Sequence, residues 1–169
     1  MKSAAAMHEA LLAYFLAEKR ESLLFMAMGA AAVIASIVLF QSSSPYRGMI
    51  GPLTLIALIQ LGVGGAVYFR TDDQIAELTA LLKKDPAAYA AQELPRMEKV
   101  SSSFTTYKFV EIALLAAGIA MTFLFRGRDV PYSIGVGLIL QASIMLVLDL
   151  FAERRADVYI QQIKSLVGG

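Results

Sequence analysis

Apolar residues along the chain gather in four long stretches separated by polar segments. The stretches cover residues 23–40, 49–69, 109–125 and 133–150. A bilayer core of about 30 Å requires roughly 20 helical residues, with about 17–25 as the usual range. The third stretch reaches this range only when Phe109, Val110 and Glu111 are counted with it. Because 169 residues cannot bury four such helices in a soluble core, the pattern predicts an all-α integral membrane protein with four transmembrane helices in two hairpins.

The polar segments carry apolar residues at spacings of three and four, which is the helical pattern of a bundle core. These segments are residues 3–22, 71–108 and 151–167. The apolar stripes are Met7, Leu11, Tyr14 and Phe15; Ile75, Leu78 and Leu82; Leu94, Met97, Ser101 and Phe104; and Ala152, Ala156, Tyr159, Ile160 and Ile163. They predict that the membrane helices extend into a cytoplasmic four-helix bundle, within one domain of residues 1–169.

Local signals within these segments suggest further detail. Residues 71–108 are predicted to form a helical hairpin, in which Asp85 caps the second helix and Pro86 begins it. The run SSSFTTY at residues 101–107 has low helix propensity and predicts a hinge before the third span. As an alternative to the bundle, residues 3–20 could form an amphipathic helix on the membrane surface, although they carry few basic residues for lipid headgroups.

The distribution of Lys and Arg predicts the orientation of the chain. Of the 15 such residues, only Arg47, Arg126 and Arg128 lie in the two short turns between paired spans. By the positive-inside rule, both termini and the central segment are cytoplasmic. The prediction is a multi-pass protein of the cell membrane, which in a bacterium is the inner membrane.

Composition excludes several classes of function. The chain is 57% hydrophobic, and its net charge of +1 without a long basic run gives no nucleic-acid footprint. It has no cysteine, so a thiolate site is excluded. Its one histidine, His8, lies far from every span. Haem and His–metal sites in the spans therefore lack their ligands, and Ser–His catalysis lacks its base. We expect no catalytic residue, no metal and no cofactor, and therefore not an enzyme.

Two acidic residues at the cytoplasmic ends of the spans form the candidate site. The helical stripes place Glu111 and Asp149 toward the bundle interior, with Arg70, Lys108 and Arg154 at a similar level. In a structural interpretation, the carboxylates pair with these bases or with Arg155 and fix the register of the hairpins.

In a functional interpretation, two inward carboxylates at close range exchange a proton or hold a cation. A basic partner at salt-bridge distance from Glu111 and from Asp149 would favour the structural interpretation. Carboxylates that face one another would favour the functional one. About two turns deeper, roughly 12 Å along the helices, Gln60 and Gln141 are predicted to hydrogen-bond across the bundle.

Two function classes follow from these features. The first is a small non-catalytic membrane protein that acts by protein–protein interaction, as an accessory subunit or an immunity protein, with an unidentified membrane or cytoplasmic partner. The alternative is a small oligomeric transporter or channel, coupled to protons or cations, that uses the inward carboxylates. Its surroundings in either case are the lipid bilayer, and a homo-oligomer is compatible with both.

Overall fold

The structure is a computed structural model that describes residues 4–167, so the predicted helix start at residue 3 lies outside the described residues. The elements are α1 (Ala4–Gln41), a short 3-10 helix (Pro45–Met49), α2 (Ile50–Lys84), α3 (Pro86–Leu124) and α4 (Asp129–Val167). Within this part of the chain there is no strand. The prediction of an all-helical protein is confirmed.

Each helix is longer than a bilayer requires. The four helices contain 38, 35, 39 and 39 residues, which at about 1.5 Å per residue gives lengths of about 50–60 Å. All four include a segment long and apolar enough to cross a membrane. Since the hydrocarbon core is only about 30 Å thick, the helices of a multi-pass protein with these lengths must also extend well beyond it.

The polar ends of the four helices pack around one hydrophobic core. We call this region the polar bundle and define it as residues 4–22, 71–84, 86–108 and 151–167. All four predicted stripes contribute to its core, together with residues that the stripes did not include. The buried members are Met7, Leu11, Tyr14, Phe15, Leu78, Leu82, Tyr89, Ala90, Met97, Ala156, Tyr159, Ile160, Ile163 and Leu166.

The first helix is a full member of the polar bundle. Met7, Leu11 and Phe15 have no solvent-exposed surface, because they pack against the other three helices in this core. An amphipathic helix on the membrane surface would instead leave this face to the lipid. The alternative arrangement for residues 3–20 is therefore wrong over the residues that the structure describes.

The predicted hinge at residues 101–107 is also wrong, because α3 is continuous through it. The serine hydroxyls find hydrogen-bond partners without interrupting the helix. Ser102 and Ser103 donate to the carbonyl oxygen of Lys99 at 2.9 Å each, and Ser101 donates to Asp157 on α4 at 3.0 Å. Packing against α4 outweighs the low helix propensity of this run.

The turn between α2 and α3 is tight. Asp85 has an extended backbone conformation, and its carboxylate accepts hydrogen bonds from the backbone N–H groups of Ala87 and Ala88, at 3.0 Å each. Pro86 occupies the first position of α3, where no N–H is needed. The two helices therefore reverse direction with a single residue between them.

The helices pack most extensively as α1 with α2 and α3 with α4. Glycines bring the helices close together in the apolar half. On α3, Gly118 lies so close to Gly135 of α4 that a Cβ at residue 118 would be 2.8 Å from the carbonyl oxygen of Gly135. Gly64 of α2 packs in a similar way against Ser22 and Met26 of α1. The Gly118–Gly135 contact helps to set the position of α3 relative to α4, the two helices that carry Glu111 and Asp149.

Candidate functional site

Glu111 lies on the inner face of α3 where the apolar half meets the polar bundle. Its neighbours Phe109, Val110 and Ile112 point outward and are more than half exposed, whereas Glu111 is only 2% exposed. Neither oxygen of its carboxyl group has an assigned hydrogen-bond partner among residues 4–167. An ionised carboxylate without partners in such surroundings is strongly disfavoured. The position therefore requires a proton, a cation or a second polar group.

The ionisable group that acts on Glu111 is another acid. Asp149, on α4, is half-buried, and its carboxyl group interacts with that of Glu111. Among residues 4–167, no ion pair joins Glu111 or Asp149 to a Lys or Arg side chain. Two adjacent carboxyl groups without a base can share one proton, because ionising both would place like charges together.

Four basic residues at this level are paired with other acids. The interhelical pairs are Lys19–Asp72 at 2.6 Å and Arg70–Glu18 at 3.7 Å between α1 and α2, Arg155–Glu21 between α1 and α4, and Lys108–Glu153 at 2.7 Å between α3 and α4. We call these four pairs the ion-pair layer. It links α1 to α2, α1 to α4 and α3 to α4, at the boundary between the apolar half and the polar bundle.

The residues predicted for the site are thus partly brought together. Glu111 and Asp149 face one another, but Arg70 and Lys108 pair with Glu18 and Glu153 rather than with them. Arg154 is exposed, and the adjacent Arg155 is the residue that joins the layer. Glu153 was missed, although its position four residues after Asp149 places both on one face of α4.

The hydrogen bond across the bundle that was predicted for Gln60 is not formed within the described residues. Gln60 is completely buried, and neither its amide nitrogen nor its amide oxygen has a partner in the described chain. Gln60 packs closely against α1, so that a Cβ added at Gly29 would lie 3.0 Å from the Cβ of Gln60. Gln141 instead lines a groove between α1, α2 and α4.

That groove has a volume of about 500 Å³ and lies in the apolar half of the molecule. Small side chains on α1, among them Ala31 and Ala35, form one wall, and Leu140 and Ile144 of α4 form part of another. Gln141 is only 3% exposed, and no hydrogen bond to it is found within residues 4–167. The groove therefore combines an apolar lining with one unpartnered amide.

A second polar cluster lies inside the polar bundle and was not predicted. Glu93 is fully buried and accepts two hydrogen bonds from Arg96, and the hydroxyl groups of Tyr89 and Tyr159 are 2.5 Å apart. Tyr14 stacks on Tyr159 with a ring separation of 4.5 Å. Burial raises the pKa of all three tyrosines above the ordinary value, so they remain protonated at neutral pH. Glu93 and Tyr89 lie four and eight residues before Met97, so the third stripe, extended backwards, would have found them.

The described residues contain no group of three or more His, Cys, Asp or Glu side chains that could hold a metal ion. No family model, curated protein or solved structure matches the chain. The function must therefore be inferred from the residues themselves.

Proposed function

We propose that this is a multi-pass membrane protein in which Glu111 and Asp149 form a proton-binding site of a small transporter or channel. The observation that carries the proposal is the burial of Glu111 beside a second acid, with no ion pair to a base among the described residues. Of the two interpretations that the sequence leaves open, this geometry supports the functional one. Of the bases that a structural ion-pair network would use, Arg70, Lys108 and Arg155 are paired with other carboxylates, and Arg154 is exposed.

A proton is a better ligand for this site than a metal cation. Ca²⁺ takes six to eight oxygen ligands and Mg²⁺ about six, whereas the site offers two carboxyl groups. A single shared proton neutralises one carboxyl group and supplies a donor for the other. Membrane-embedded acids that face the interior of a bundle commonly mark proton or ion pathways.

The proposed orientation places both termini and the α2–α3 turn in the cytoplasm. The helices are long enough to cross the bilayer, and the two turns at the other end contain only three of the 15 basic residues. In this orientation the polar bundle is cytoplasmic, and the carboxyl pair lies at the cytoplasmic end of the membrane spans.

Proton flux into proteoliposomes tests the proposal. The purified full chain is reconstituted with a pH-sensitive dye inside, and a potassium diffusion potential drives proton entry. We expect wild-type protein to acidify the lumen and the double variant Glu111→Gln/Asp149→Asn to behave like empty liposomes. Glu98→Gln, which removes an exposed acid of the polar bundle, is the matched control and should retain wild-type flux. Equal flux in wild type and double variant, or flux in neither, would overturn the proposal.

A second candidate function is binding of a partner protein within the membrane, and the groove that contains Gln141 supports it. A transmembrane helix that carries a hydrogen-bonding side chain at this depth would fill the groove and satisfy the buried amide. Small residues such as Ala31 and Ala35 would allow close approach of that helix. The accessory-subunit and immunity-protein hypotheses belong to this class.

Purification from native membranes in a mild detergent, followed by mass spectrometry, tests partner binding. We expect a stoichiometric membrane protein to co-purify with the wild-type chain and to be lost from Gln141→Leu. Leu55→Ala, which changes an outward-facing side chain of α2, should retain it. Recovery of the chain without such a partner, or equal recovery with Gln141→Leu, would count against this candidate.

A further inference from the structure

Glu153 and Lys108 form an ion pair within about one turn of the carboxyl pair, on its polar-bundle side. On α4, Glu153 is four residues after Asp149, about one turn, and its charge acts on the Asp149 carboxyl group. On α3, Lys108 is three residues before Glu111. The Lys108 ammonium group contacts both carboxylate oxygens of Glu153 at 2.7 Å, and so the ion pair spans α3 and α4 directly beside the buried pair.

Asp149 and Glu153 of α4 are both more exposed than Glu111. Glu111 is 2% exposed, Asp149 is half-buried, and the Glu153 side chain is 20% exposed. Side chains four residues apart on a helix have Cβ atoms about 5–6 Å apart, which lets two acids exchange a proton directly or through one water molecule. The three carboxyl groups therefore connect the buried site with the aqueous side of the polar bundle.

No comparable line of acids leads from the pair in the opposite direction. Further along the same face of α3 lie Leu115 and Gly118, and Gly118 is in close contact with Gly135 of α4. The next polar side chain on that face of α4 is Gln141, eight residues from Asp149 and without an ionisable group. The structure thus gives the pair access to protons from the polar-bundle side.

We propose that Glu153 carries protons between water and the Glu111–Asp149 pair, and that its ion pair with Lys108 controls this exchange. When Lys108 separates from Glu153, the Glu153 carboxylate takes a proton from a hydronium ion, which leaves a water molecule, and passes the proton to the Asp149 carboxylate, which shares it with Glu111. Glu153, again an anion, then returns to the Lys108 ammonium group. One proton moves and no other bond changes.

The other helices contribute charges that stay paired during this exchange. In the ion-pair layer, Glu21 of α1 pairs with Arg155 of α4, and Glu18 of α1 pairs with Arg70 of α2. Because these bases already hold carboxylates, Lys108 is the base that competes with a proton for Glu153. The inference rests on the proposed function, since it assumes that the pair binds a proton.

Infrared difference spectroscopy after a rapid pH change tests the inference on the full chain in liposomes. The carbonyl stretch of a protonated carboxyl group reports the Glu111–Asp149 proton, and Glu111→Gln/Asp149→Asn identifies the signal. We expect Glu153→Gln to slow the decay of this signal at least tenfold without changing its amplitude. Lys108→Met, which frees Glu153, should make the decay faster, and Glu98→Gln should leave it unchanged.

The outcomes separate the two proposals. Absence of the signal from wild-type protein would overturn the proton-binding site itself. A signal that decays at the wild-type rate in Glu153→Gln would overturn the role of Glu153 alone. A change of amplitude without a change of rate would indicate that Glu153 only supports the structure of the site. If Glu153→Gln did not fold, a rate in Lys108→Met no faster than wild type would overturn the role of the ion pair.

Discussion

Glu93 and Arg96 form a bidentate ion pair within α3, with nitrogen–oxygen distances of 2.6 and 2.7 Å. The Glu93 side chain has no solvent-exposed surface, and the Arg96 side chain is 31% exposed. The Arg96 guanidinium also lies 5.6 Å from the centre of the Phe15 ring on α1. The pair therefore places a buried charge in the polar bundle and compensates it with one base that also contacts a second helix.

Replacing Arg96 should destabilise the protein much more than replacing an exposed base. Arg96→Met leaves the buried Glu93 without a counter-charge, and we expect a loss of about 3–5 kcal/mol in the free energy of unfolding. Lys164→Met removes one partner of an exposed pair with Glu98 and should cost about 0–1 kcal/mol. Denaturant titration in detergent, followed by circular dichroism, measures both. Similar losses for the two variants would contradict the structural role of the Glu93–Arg96 pair.

Gly118→Ala should weaken the contact between α3 and α4. The added Cβ would be 2.8 Å from the carbonyl oxygen of Gly135 and 3.0 Å from the backbone nitrogen of Ile139, so helix backbone would have to move. Overpacking of this kind costs typically 1–3 kcal/mol. At Gly62 a new Cβ would have open space, and alanine should stabilise the helix by up to about 1 kcal/mol. Thermal unfolding of both variants should give shifts of opposite sign; a stabilised Gly118→Ala would refute the close contact.

Glu18 should make stability depend on pH. Burial raises the pKa of its carboxyl group above that in the unfolded chain, against the opposing effect of Arg70, Arg96 and Arg155. At a pH between the pKa of Glu18 in the unfolded chain and its higher pKa in the folded protein, the folded protein binds more protons than the unfolded chain. The contribution of Glu18 to stability is therefore fully present below this pH range and declines as pH rises through it. Glu18→Gln should therefore lose less stability than wild type as pH rises from about 4.5 toward neutrality.

Thermal unfolding across this pH range measures the difference, with the exposed Glu9 as the matched control site. Glu9→Gln should follow the wild-type pH dependence closely. If Glu18→Gln also followed it, the burial of Glu18 would have no thermodynamic effect.

Periodicity alone was enough to predict much of the fold. Every apolar stripe contributes to one core, and Asp85 and Pro86 form the tight turn between α2 and α3. Both features depend on local spacing and on capping, which a single sequence contains. The hinge prediction failed because Ser101 gains a tertiary hydrogen bond to Asp157, and contacts between helices are not visible in helix propensity.

In the candidate site, too, local spacing predicted some features, whereas contacts between helices determined others. Helical spacing was sufficient to predict that Glu111 and Asp149 point inward, but not which acid each base pairs with. The ion-pair partners depend on the rotation of α3 relative to α4, which the Gly118–Gly135 contact helps to set. Gly64 of α2 packs closely against α1, whereas a Cβ added at Gly62, two residues earlier, would meet no atom of another helix within 4 Å. Small residues permit a contact, and only the packing of the whole bundle determines where it forms.

The orientation of the chain can be tested with single cysteines, because the natural sequence has none. Ser43 is exposed in the turn after α1, and Ser102 is exposed on α3 in the polar bundle. If the polar bundle is cytoplasmic, a membrane-impermeant maleimide added to intact cells should label Ser43→Cys and should label Ser102→Cys only after lysis. The reverse pattern would invert the topology and place the Glu153 proton path on the outer side. Labelling of both in intact cells would contradict a chain that spans the membrane with these two regions on opposite sides.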